Sequence, residues 1–168
     1  MRWRLVDRID DMVLDESATG VVTYDPELPL FEDHFPGFPV VPGVLLLESL
    51  AQLSGKLIGY TVRKRRGDWP FPIISMMNGV KFRRFVRPGK TLEMHTRMTL
   101  LRDEMAVCEV RGRLDGRVHV QAEQIFVFNA VPLEDDAGRD RVERLERAEL
   151  RRLWADYPVH EDGTGEGA

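Results

Sequence analysis

The chain contains one long apolar stretch, Val40-Val-Pro-Gly-Val-Leu-Leu-Leu-Glu-Ser-Leu-Ala-Gln-Leu-Ser-Gly-Lys-Leu-Ile-Gly-Tyr-Thr-Val62. Pro42 and Gly43 mark its start, and the apolar residues that follow spread around most of the circumference of a helix. We therefore predict a helix over about residues 44–63 that is buried in the middle of a domain. Four basic residues at 63–66 suit the negative end of the helix dipole, and they mark where the helix ends.

A proline-rich loop leads into this helix. Residues 25–43 contain five prolines, at positions 26, 29, 36, 39 and 42. This density excludes both a helix and a central strand, because proline fixes φ and lacks a backbone N–H. A stiff loop of this length inside a compact domain is typical of a functional segment.

Strand patterns with a period of two occupy much of the remaining chain. Residues 18–24 are typical of a short strand before the loop, and residues 73–85 of a strand after the helix. Alternating apolar and polar residues predict three further strands, at 92–98, 106–112 and 118–128. Asp115-Gly116 is a hairpin signal between the last two. The economical packing of these elements is an α+β fold, in which an antiparallel sheet wraps around the buried helix.

The last part of the chain has a different composition. Residues 134–168 contain 11 acidic and 6 basic residues, whereas the other 133 residues contain 17 acidic and 18 basic residues. We therefore predict one domain at 1–133 and a charged C-terminal extension at 134–168. Residues 139–154 fit a helix with a thin apolar stripe, and the final stretch, 161–168, is expected to be disordered.

The overall composition is that of an ordinary globular protein, with 43% hydrophobic and 31% charged residues. Cys108 is the single cysteine, so no internal disulfide can form, and a reducing, cytoplasmic location is expected. Residues 1–8 lack the apolar core of a signal peptide. Three polar residues interrupt the long apolar stretch, which argues against insertion into a membrane.

Glu48 stands out because it lies one turn into a helix that otherwise buries apolar side chains. A buried carboxylate either takes up a proton or finds a partner. One interpretation is a structural glutamate that is bonded to a backbone group or an arginine. The other is a general acid, whose proton is retained near neutral pH by desolvation. Glu48 by itself leaves these two interpretations about equal.

His34 lies fourteen residues before Glu48, on the proline-rich loop. The residues that follow it, Phe35-Pro36-Gly37, form a rigid and apolar surrounding for one titratable group, as acid–base catalysis requires. The other three histidines fit a structural or solvated role, with His95 and His119 on the polar faces of strands and His160 in the extension.

The predicted helix start supplies a third chemical element. The N–H groups of Gly43 and Val44 have no acceptor within the helix, and they carry the positive end of its dipole. A thioester carbonyl bound there would be polarised as an enolate forms. A base, an acid and oxyanion donors thus arise within fifteen residues of one another.

One segment carries a close resemblance to a known family: His34-Phe-Pro-Gly-Phe-Pro-Val-Val-Pro-Gly-Val-Leu-Leu-Leu-Glu48-Ser-Leu-Ala-Gln52. It resembles the active-site segment of the β-hydroxyacyl-[acyl-carrier-protein] dehydratases, in which Glu follows His by fourteen residues and Gln follows Glu by four. Two further segments resemble the N-terminal strand of the family and the strand and turn after its helix, namely Leu5-Val-Asp-Arg-Ile9 and Val80-Lys-Phe-Arg-Arg84 with Pro88-Gly89. The resemblance covers about residues 3–129 and implies a hotdog fold of the simple dehydratase type.

The resemblance also implies a reaction, the dehydration of a 3-hydroxyacyl thioester to a trans-2-enoyl thioester. His34 would remove the C2 proton, and Glu48 would protonate the leaving C3 hydroxyl. The Gly43 N–H would bind the thioester carbonyl, and Gln52 would orient the carboxyl group of Glu48. Further residues expected at the substrate are Val44, Phe35 and Pro42.

The same resemblance implies how the site is assembled and supplied. The family forms homodimers in which the histidine of one chain meets the glutamate of the other, with a trimer of dimers as the larger assembly to expect. No metal and no organic cofactor is implied, because the thioester itself acidifies C2. The substrate would arrive on the phosphopantetheine of an acyl carrier protein, and no nucleic-acid partner is expected.

A basic segment fits this carrier. Residues 56–90 contain ten basic residues and one acidic residue, Asp68, which indicates an acidic partner on a chain of net charge −4. Acyl carrier proteins are acidic, and the resemblance implies that one docks near the site. The candidate docking residues are Lys64, Arg66, Arg83, Arg84 and Arg87. A solvated basic surface without a partner is an equally good interpretation of each one.

Two other functions stay open. A hotdog thioesterase also places a helix carboxylate beside a thioester, although the His-Phe-Pro-Gly loop favours elimination over hydrolysis. A non-catalytic acyl-binding subunit of a heteromeric dehydratase is the other, and the presence of both His34 and Glu48 argues against it. Asp33 departs from the family, which has glycine at that position. The acyl chain and the pathway, fatty-acid biosynthesis or a related lipid or polyketide route, are not specified by these residues.

Overall fold

The computed structural model describes residues 3–130 and 135–158. Its elements in chain order are β1 (Arg8–Val13), β2 (Ser17–Thr23), α1 (Leu30–Asp33), α2 (Gly43–Arg66), β3 (Ile73–Phe82), β4 (Thr91–Leu101), β5 (Met105–Leu114), β6 (Arg117–Val127) and α3 (Asp136–Leu153). The six strands form one antiparallel sheet in the order β1-β2-β4-β5-β6-β3. Helix α2 packs against this sheet, so the predicted α+β arrangement is confirmed.

The central strands follow the predicted period of two. In β4 the side chains of Leu92, Met94, Thr96 and Met98 are buried, and the residues between them are partly or fully exposed. The turn between β5 and β6 is the predicted hairpin, since Asp115 and Gly116 have φ values of 50° and 72°. Positive φ at both central residues matches the right-handed twist of the strands that the turn connects.

Helix α2 is the buried element that the apolar stretch predicts. Leu50, Leu53, Leu57 and Ile58 are fully buried. The predicted end at residue 63 is wrong by three residues, because the helix continues to Arg66. Gly67 then ends it in the left-handed conformation, with its N–H donating to the carbonyl of Arg63 at 2.9 Å. The basic residues therefore form the last turn, where their positive charge interacts favourably with the negative end of the helix dipole.

Buried hydrogen bonds fix the first turns of α2 against the sheet. The Tyr24 hydroxyl, just after β2, lies 2.6 Å from the Ser49 hydroxyl and donates to the Leu45 carbonyl at 3.1 Å. Burial raises the pKa of Tyr24 well above its usual value, so the hydroxyl stays protonated. This anchor sets the position of the helix start relative to the loop that precedes it.

Further differences from the sequence expectation lie in the proline-rich loop and at the ends of β3 and β1. The proline-rich loop contains one helical turn, α1, which follows Pro29; proline fits there because its fixed φ of −56° suits a helix start. Strand β3 ends at Phe82 rather than at residue 85. Strand β1 begins at Arg8, so most of the segment 5–9 is an extended approach to the sheet.

Strand β3 forms an edge of the sheet and is poorly covered. It pairs only with β6 among the described strands, and eight of its ten residues are exposed. Large apolar side chains are among them, with Met76 at 55% and Phe82 at 54% exposure. An unpaired and apolar edge of this kind is a site for pairing with another chain.

Helix α3 confirms the predicted helix in the C-terminal extension, although it begins at Asp136 rather than at residue 139. The Asp135 side chain caps it by accepting from the Gly138 N–H at 2.7 Å. Its C-terminal end is buried against α2 and β1 through Leu150, Leu153 and Trp154.

Two expectations about the chain ends are not tested. The division into a domain at 1–133 and an extension at 134–168 stays a prediction. The stretch 161–168 lies outside the described residues. Within the described parts of the chain, none of the helices has the length and apolar character to span a membrane.

Candidate active site

The loop that carries His34 is fixed by backbone hydrogen bonds on both sides of the histidine. The His34 N–H donates to the Leu30 carbonyl at 3.1 Å, and the His34 carbonyl accepts from the Val40 N–H at 2.8 Å. The half-buried imidazole stacks on the ring of Phe35 with 4.4 Å between centroids, and the peptide bond between them is cis. The histidine therefore has the defined position that the prolines predict.

The segment after β3 supports the same loop. The Val41 N–H donates to the Val86 carbonyl at 2.8 Å. The ring of Phe38 meets Phe85 edge-on at 6.1 Å, and the Arg87 guanidinium lies 4.1 Å above the Phe38 ring centroid. Because Phe38 and Phe85 are both about half exposed or more, this apolar surface is open to a partner.

Glu48 is half-buried on α2, so the expectation of a fully buried carboxylate is wrong for a single chain. Its Oε1 accepts two hydrogen bonds of 3.0 Å, from the Trp3 indole Nε1 and from the Gln52 side-chain Nε2. Both donors meet the same oxygen, so Oε2 is the oxygen placed to carry a proton or to meet a ligand. In a neutral carboxylic acid, such an arrangement favours Oε1 as the carbonyl oxygen and Oε2 as the hydroxyl.

Gln52 connects Glu48 to the N-terminal segment. Its Nε2 donates to Glu48, and its Oε1 accepts from the Leu5 N–H at 2.8 Å. The second bond fixes which end of the amide faces Glu48, because only the nitrogen can donate. The structure thus brings together the two side chains that the four-residue spacing predicts to be neighbours.

The start of α2 lies at the predicted Pro42-Gly43 pair, and its use for binding an oxyanion stays a prediction. The helix begins at Gly43 after Pro42, and its first intrahelical bond runs from the Leu45 N–H to the Pro42 carbonyl at 3.0 Å. A Cβ at Gly43 would lie 2.6 Å from the ring of Phe82, so a larger residue here would force that ring to move. Val44 is 71% exposed, which leaves the helix start accessible.

A cavity of about 700 Å³, here called the α2–α3 cavity, begins at Glu48. Its lining includes Trp3, Glu48, Gln52, Gly55, Ile74 and Leu145. None of His34, Phe35, Pro42 and Gly43 is among the described residues that line it. The base and the acid of one chain therefore do not face the same cavity, and their meeting across a dimer interface stays a prediction.

The predicted docking residues fall into two groups. Arg83, Arg84 and Arg87 follow β3 beside the histidine loop, and the Arg83 N–H donates to the carbonyl of His119 at 2.7 Å. Lys64 and Arg66 lie in the last turn of α2, a 24-residue helix roughly 36 Å long. The Arg66 guanidinium donates to the backbone carbonyl and to the side-chain carboxylate of Asp103. The five residues do not form one patch on a single chain.

The other titratable candidates have structural surroundings. His119 is buried rather than on a polar face, with Nδ1 3.0 Å from the Phe85 carbonyl oxygen. Partial burial and three arginines, nearest Arg111, lower the pKa of His95. Burial raises the pKa of Cys108 to about 11, so its thiol is not a nucleophile near neutral pH. No group of three or more metal-ligating side chains occurs in residues 3–130 and 135–158.

Trp3 is the site residue that the sequence does not reveal. It lies 45 positions before its partner Glu48, in a segment with no periodicity or motif. Only an isolated tryptophan in a charged N-terminal segment could have drawn attention to it. The contribution of α3 to the cavity is likewise invisible in the sequence.

Comparison with known proteins places this chain in a family. The family model of the FabA-like domain matches residues 1–123. The enzyme 3-hydroxyacyl-[acyl-carrier-protein] dehydratase FabZ of Syntrophotalea carbinolica is 33% identical over 74% of this chain and 83% of its own length. FabZ of Cereibacter sphaeroides is 39% identical over 71% of this chain and 76% of its own length. The chain belongs to the FabA-like family of 3-hydroxyacyl-[acyl-carrier-protein] dehydratases, as the His34–Gln52 segment predicts.

Solved structures agree on the fold. The dehydratase heterocomplex ApeI:P from Xenorhabdus doucetiae matches with a TM-score of 0.64 and 16% identity, over 83% of this chain and 89% of that chain. A hypothetical thioesterase with coenzyme A from Streptococcus pneumoniae matches with a TM-score of 0.55 and 10% identity, over 73% and 84%. At these identities the likeness concerns the fold alone, and it confirms the predicted hotdog architecture.

Proposed function

We propose that the protein dehydrates 3-hydroxyacyl-[acyl-carrier protein] to trans-2-enoyl-[acyl-carrier protein]. The observation that carries the proposal is the carboxyl group of Glu48, whose Oε1 accepts from Trp3 and Gln52 so that Oε2 is left to face a substrate. A thioesterase would need that carboxylate as a base for water. The rigid histidine loop and the curated relatives that are named dehydratases favour an acid and a base that act on the same substrate.

The proposed reaction uses three groups of the chain. The neutral imidazole of His34 takes the C2 proton, and the electron pair of that C–H bond moves into the thioester as an enolate. The N–H groups at Gly43 and Val44 stabilise the oxyanion. The enolate then collapses to the C2–C3 double bond, the C3–O bond breaks, and Glu48 protonates the departing hydroxyl to give water. No cofactor takes part in this scheme.

We propose further that the site is completed in a homodimer. The support is the exposed apolar surface that surrounds the histidine loop and the uncovered edge strand β3. It includes Phe35, Val44, Met76, Phe82 and Phe85, which are between 53% and 71% exposed. Pairing of two β3 edges would bury these side chains and bring the His34 loop of each chain towards the Glu48 of its partner. A trimer of dimers stays a prediction.

The proposed carrier docks beside the histidine loop. Arg83, Arg84 and Arg87 are exposed and close to the loop, which supports them over Lys64 and Arg66 as contacts for an acidic carrier. The reducing cytoplasm stays the predicted compartment, in agreement with a single, buried and free cysteine.

One assay tests the reaction against its alternatives. The purified protein is incubated with 3-hydroxybutyryl-acyl carrier protein, and the intact carrier is analysed by mass spectrometry. The expected product is a carrier lighter by one water. Free carrier with released acid would replace the proposal by a thioesterase, and an unchanged carrier would replace it by a non-catalytic acyl-binding subunit.

A further inference from the structure

The outer wall of the α2–α3 cavity comes from helix α3. This helix lies beyond residues 1–123, which the FabA-like family model matches. It contributes Val142, Leu145, Glu146, Glu149 and Leu153 to the cavity that also contains Glu48. The acid of the proposed reaction and the C-terminal helix therefore line the same partly open cavity.

Ion pairs and buried contacts fasten this wall to the rest of the fold. Lys56 Nζ lies 2.6 Å from Glu146 Oε2, and Arg4 Nη1 lies 2.8 Å from Glu149 Oε2. Outside the cavity lining, Leu150 is fully buried. The charged groups on the cavity wall neutralise one another in pairs, so the wall presents no uncompensated charge to an apolar ligand.

The other surfaces of the cavity are mostly apolar. Phe71, Pro72 and Ile74 also line it, together with Phe126 of β6. Gly55 of α2 lines the cavity. A Cβ at this position would meet only Pro72, at 3.9 Å, so a larger side chain would extend into open space. Glycine inside a helix lowers stability relative to alanine. Its presence at position 55 is consistent with a need to leave this space unfilled.

We infer that the α2–α3 cavity is the binding subsite for the apolar acyl tail of the substrate, with α3 as a wall that selects tail length. The inference rests on the proposed function. The reacting C3 would lie at Glu48, and the tail would extend along α2 past Gln52 to Gly55, about 10 Å away for seven residues of helix. A short acyl group would end before Gly55, whereas a long one would have to pass between Gly55 and Leu145.

Gly55→Leu tests the inference by filling the middle of the cavity. Leucine is a good helix former and nothing crowds the added Cβ, so the fold is expected to persist. The assay compares kcat/KM for 3-hydroxybutyryl carrier with that for the longest 3-hydroxyacyl carrier that the unmodified protein dehydrates. The expected result is a loss of roughly tenfold or more for the long substrate, with the short substrate nearly unaffected.

Leu145→Trp gives an independent test from the opposite wall. Leu145 is 60% exposed, so the larger ring can extend over the cavity without repacking the core. The same selective loss for long substrates is expected. Arg144→Trp is the matched control, because the exposed Arg144 precedes it on the same helix and does not line the cavity; it should leave the ratio of the two substrates unchanged.

The outcomes separate the inference from the proposed function. If the unmodified protein releases water from no 3-hydroxyacyl carrier, the proposed function fails. A second outcome is that the protein is active, while Gly55→Leu and Leu145→Trp slow both substrates equally or slow neither of them. In that case the tail does not lie in this cavity, and the inference fails while the proposed function stands. Gly55→Ala, which adds only a methyl group, should give a smaller selective loss than Gly55→Leu.

Discussion

Two regions of the molecule meet at Glu48 and are built in opposite ways. The histidine loop and the start of α2 are one continuous piece of chain, residues 34–52, in which prolines and local hydrogen bonds fix the backbone and a few bonds, such as Val41 to Val86, attach it to the sheet. The α2–α3 cavity is assembled from an N-terminal segment, the middle of α2, the start of β3 and the C-terminal helix. Only long-range contacts such as Lys56 to Glu146 hold it together.

The difference indicates that the first region serves the acid–base chemistry and the second serves substrate selection. Acid–base chemistry needs groups placed to a fraction of an ångström, and a short rigid segment holds the groups that each chain contributes in defined positions. Selection of an acyl tail needs only shape and apolar surface, which distant segments can supply and which can change without disturbing the chemistry. Variants in the first region should therefore affect turnover, and variants in the second should affect substrate choice or stability.

The largest effect is expected for the acid and the base themselves. His34→Ala and Glu48→Gln each remove one proton transfer, and each should lower kcat for water loss by about a hundredfold to ten-thousandfold. His95→Ala and Glu109→Gln are matched controls on β4 and β5 and should retain activity. Water loss at the normal rate in either of the first two variants would remove that residue from the mechanism.

A smaller effect is expected for the residue that orients Glu48. Gln52→Ala removes one of two donors to Oε1 and the acceptor for the Leu5 N–H, so kcat should fall roughly tenfold while KM changes little. Trp3→Phe keeps an aromatic ring but removes the other donor, and it should show the same split in steady-state kinetics. A rise in KM with kcat unchanged would instead make these residues ordinary substrate contacts.

The carrier surface should give an effect of several-fold on KM alone. Arg83→Glu combined with Arg84→Glu reverses two exposed charges beside the histidine loop, and KM for carrier-bound substrate should rise about threefold to tenfold, most strongly at low salt. A small thioester analogue should be used equally well by variant and parent. Lys64→Glu at the far end of α2 is the control. Equal losses on both substrates would refute docking at Arg83 and Arg84.

The smallest effect on activity, but a measurable effect on stability, is expected at the ion pair below α3. The Lys56 side chain is 11% exposed and that of Glu146 is 38% exposed. Glu146→Gln removes the negative charge that compensates a buried ammonium and should lower the free energy of unfolding by about 2 kcal/mol. Lys56→Met leaves only a hydrated carboxylate and should cost less than about 1 kcal/mol. Urea unfolding that gives the reverse order would contradict this account of how α3 is fastened.

The same contrast explains which features could be predicted from the sequence. Helix α2, the Asp115-Gly116 hairpin and the neighbouring positions of Glu48 and Gln52 depend on local periodicity and turn chemistry, which the sequence displays. The burial of Glu48 was overestimated, because helix periodicity does not reveal an adjoining cavity. The Trp3 hydrogen bond and the role of α3 could not be predicted, since they depend on tertiary contacts between segments with no common motif.

The most direct test of the central claim is a mixed dimer of two inactive chains. One chain carries His34→Ala and the other Glu48→Gln, and two affinity tags isolate the mixed species. If each site takes its base from one chain and its acid from the other, one of the two sites keeps both residues, and about half of the parent rate of water loss should return. A mixed dimer as inactive as its two parents would show that the base and acid of the same chain act together, and would contradict the account.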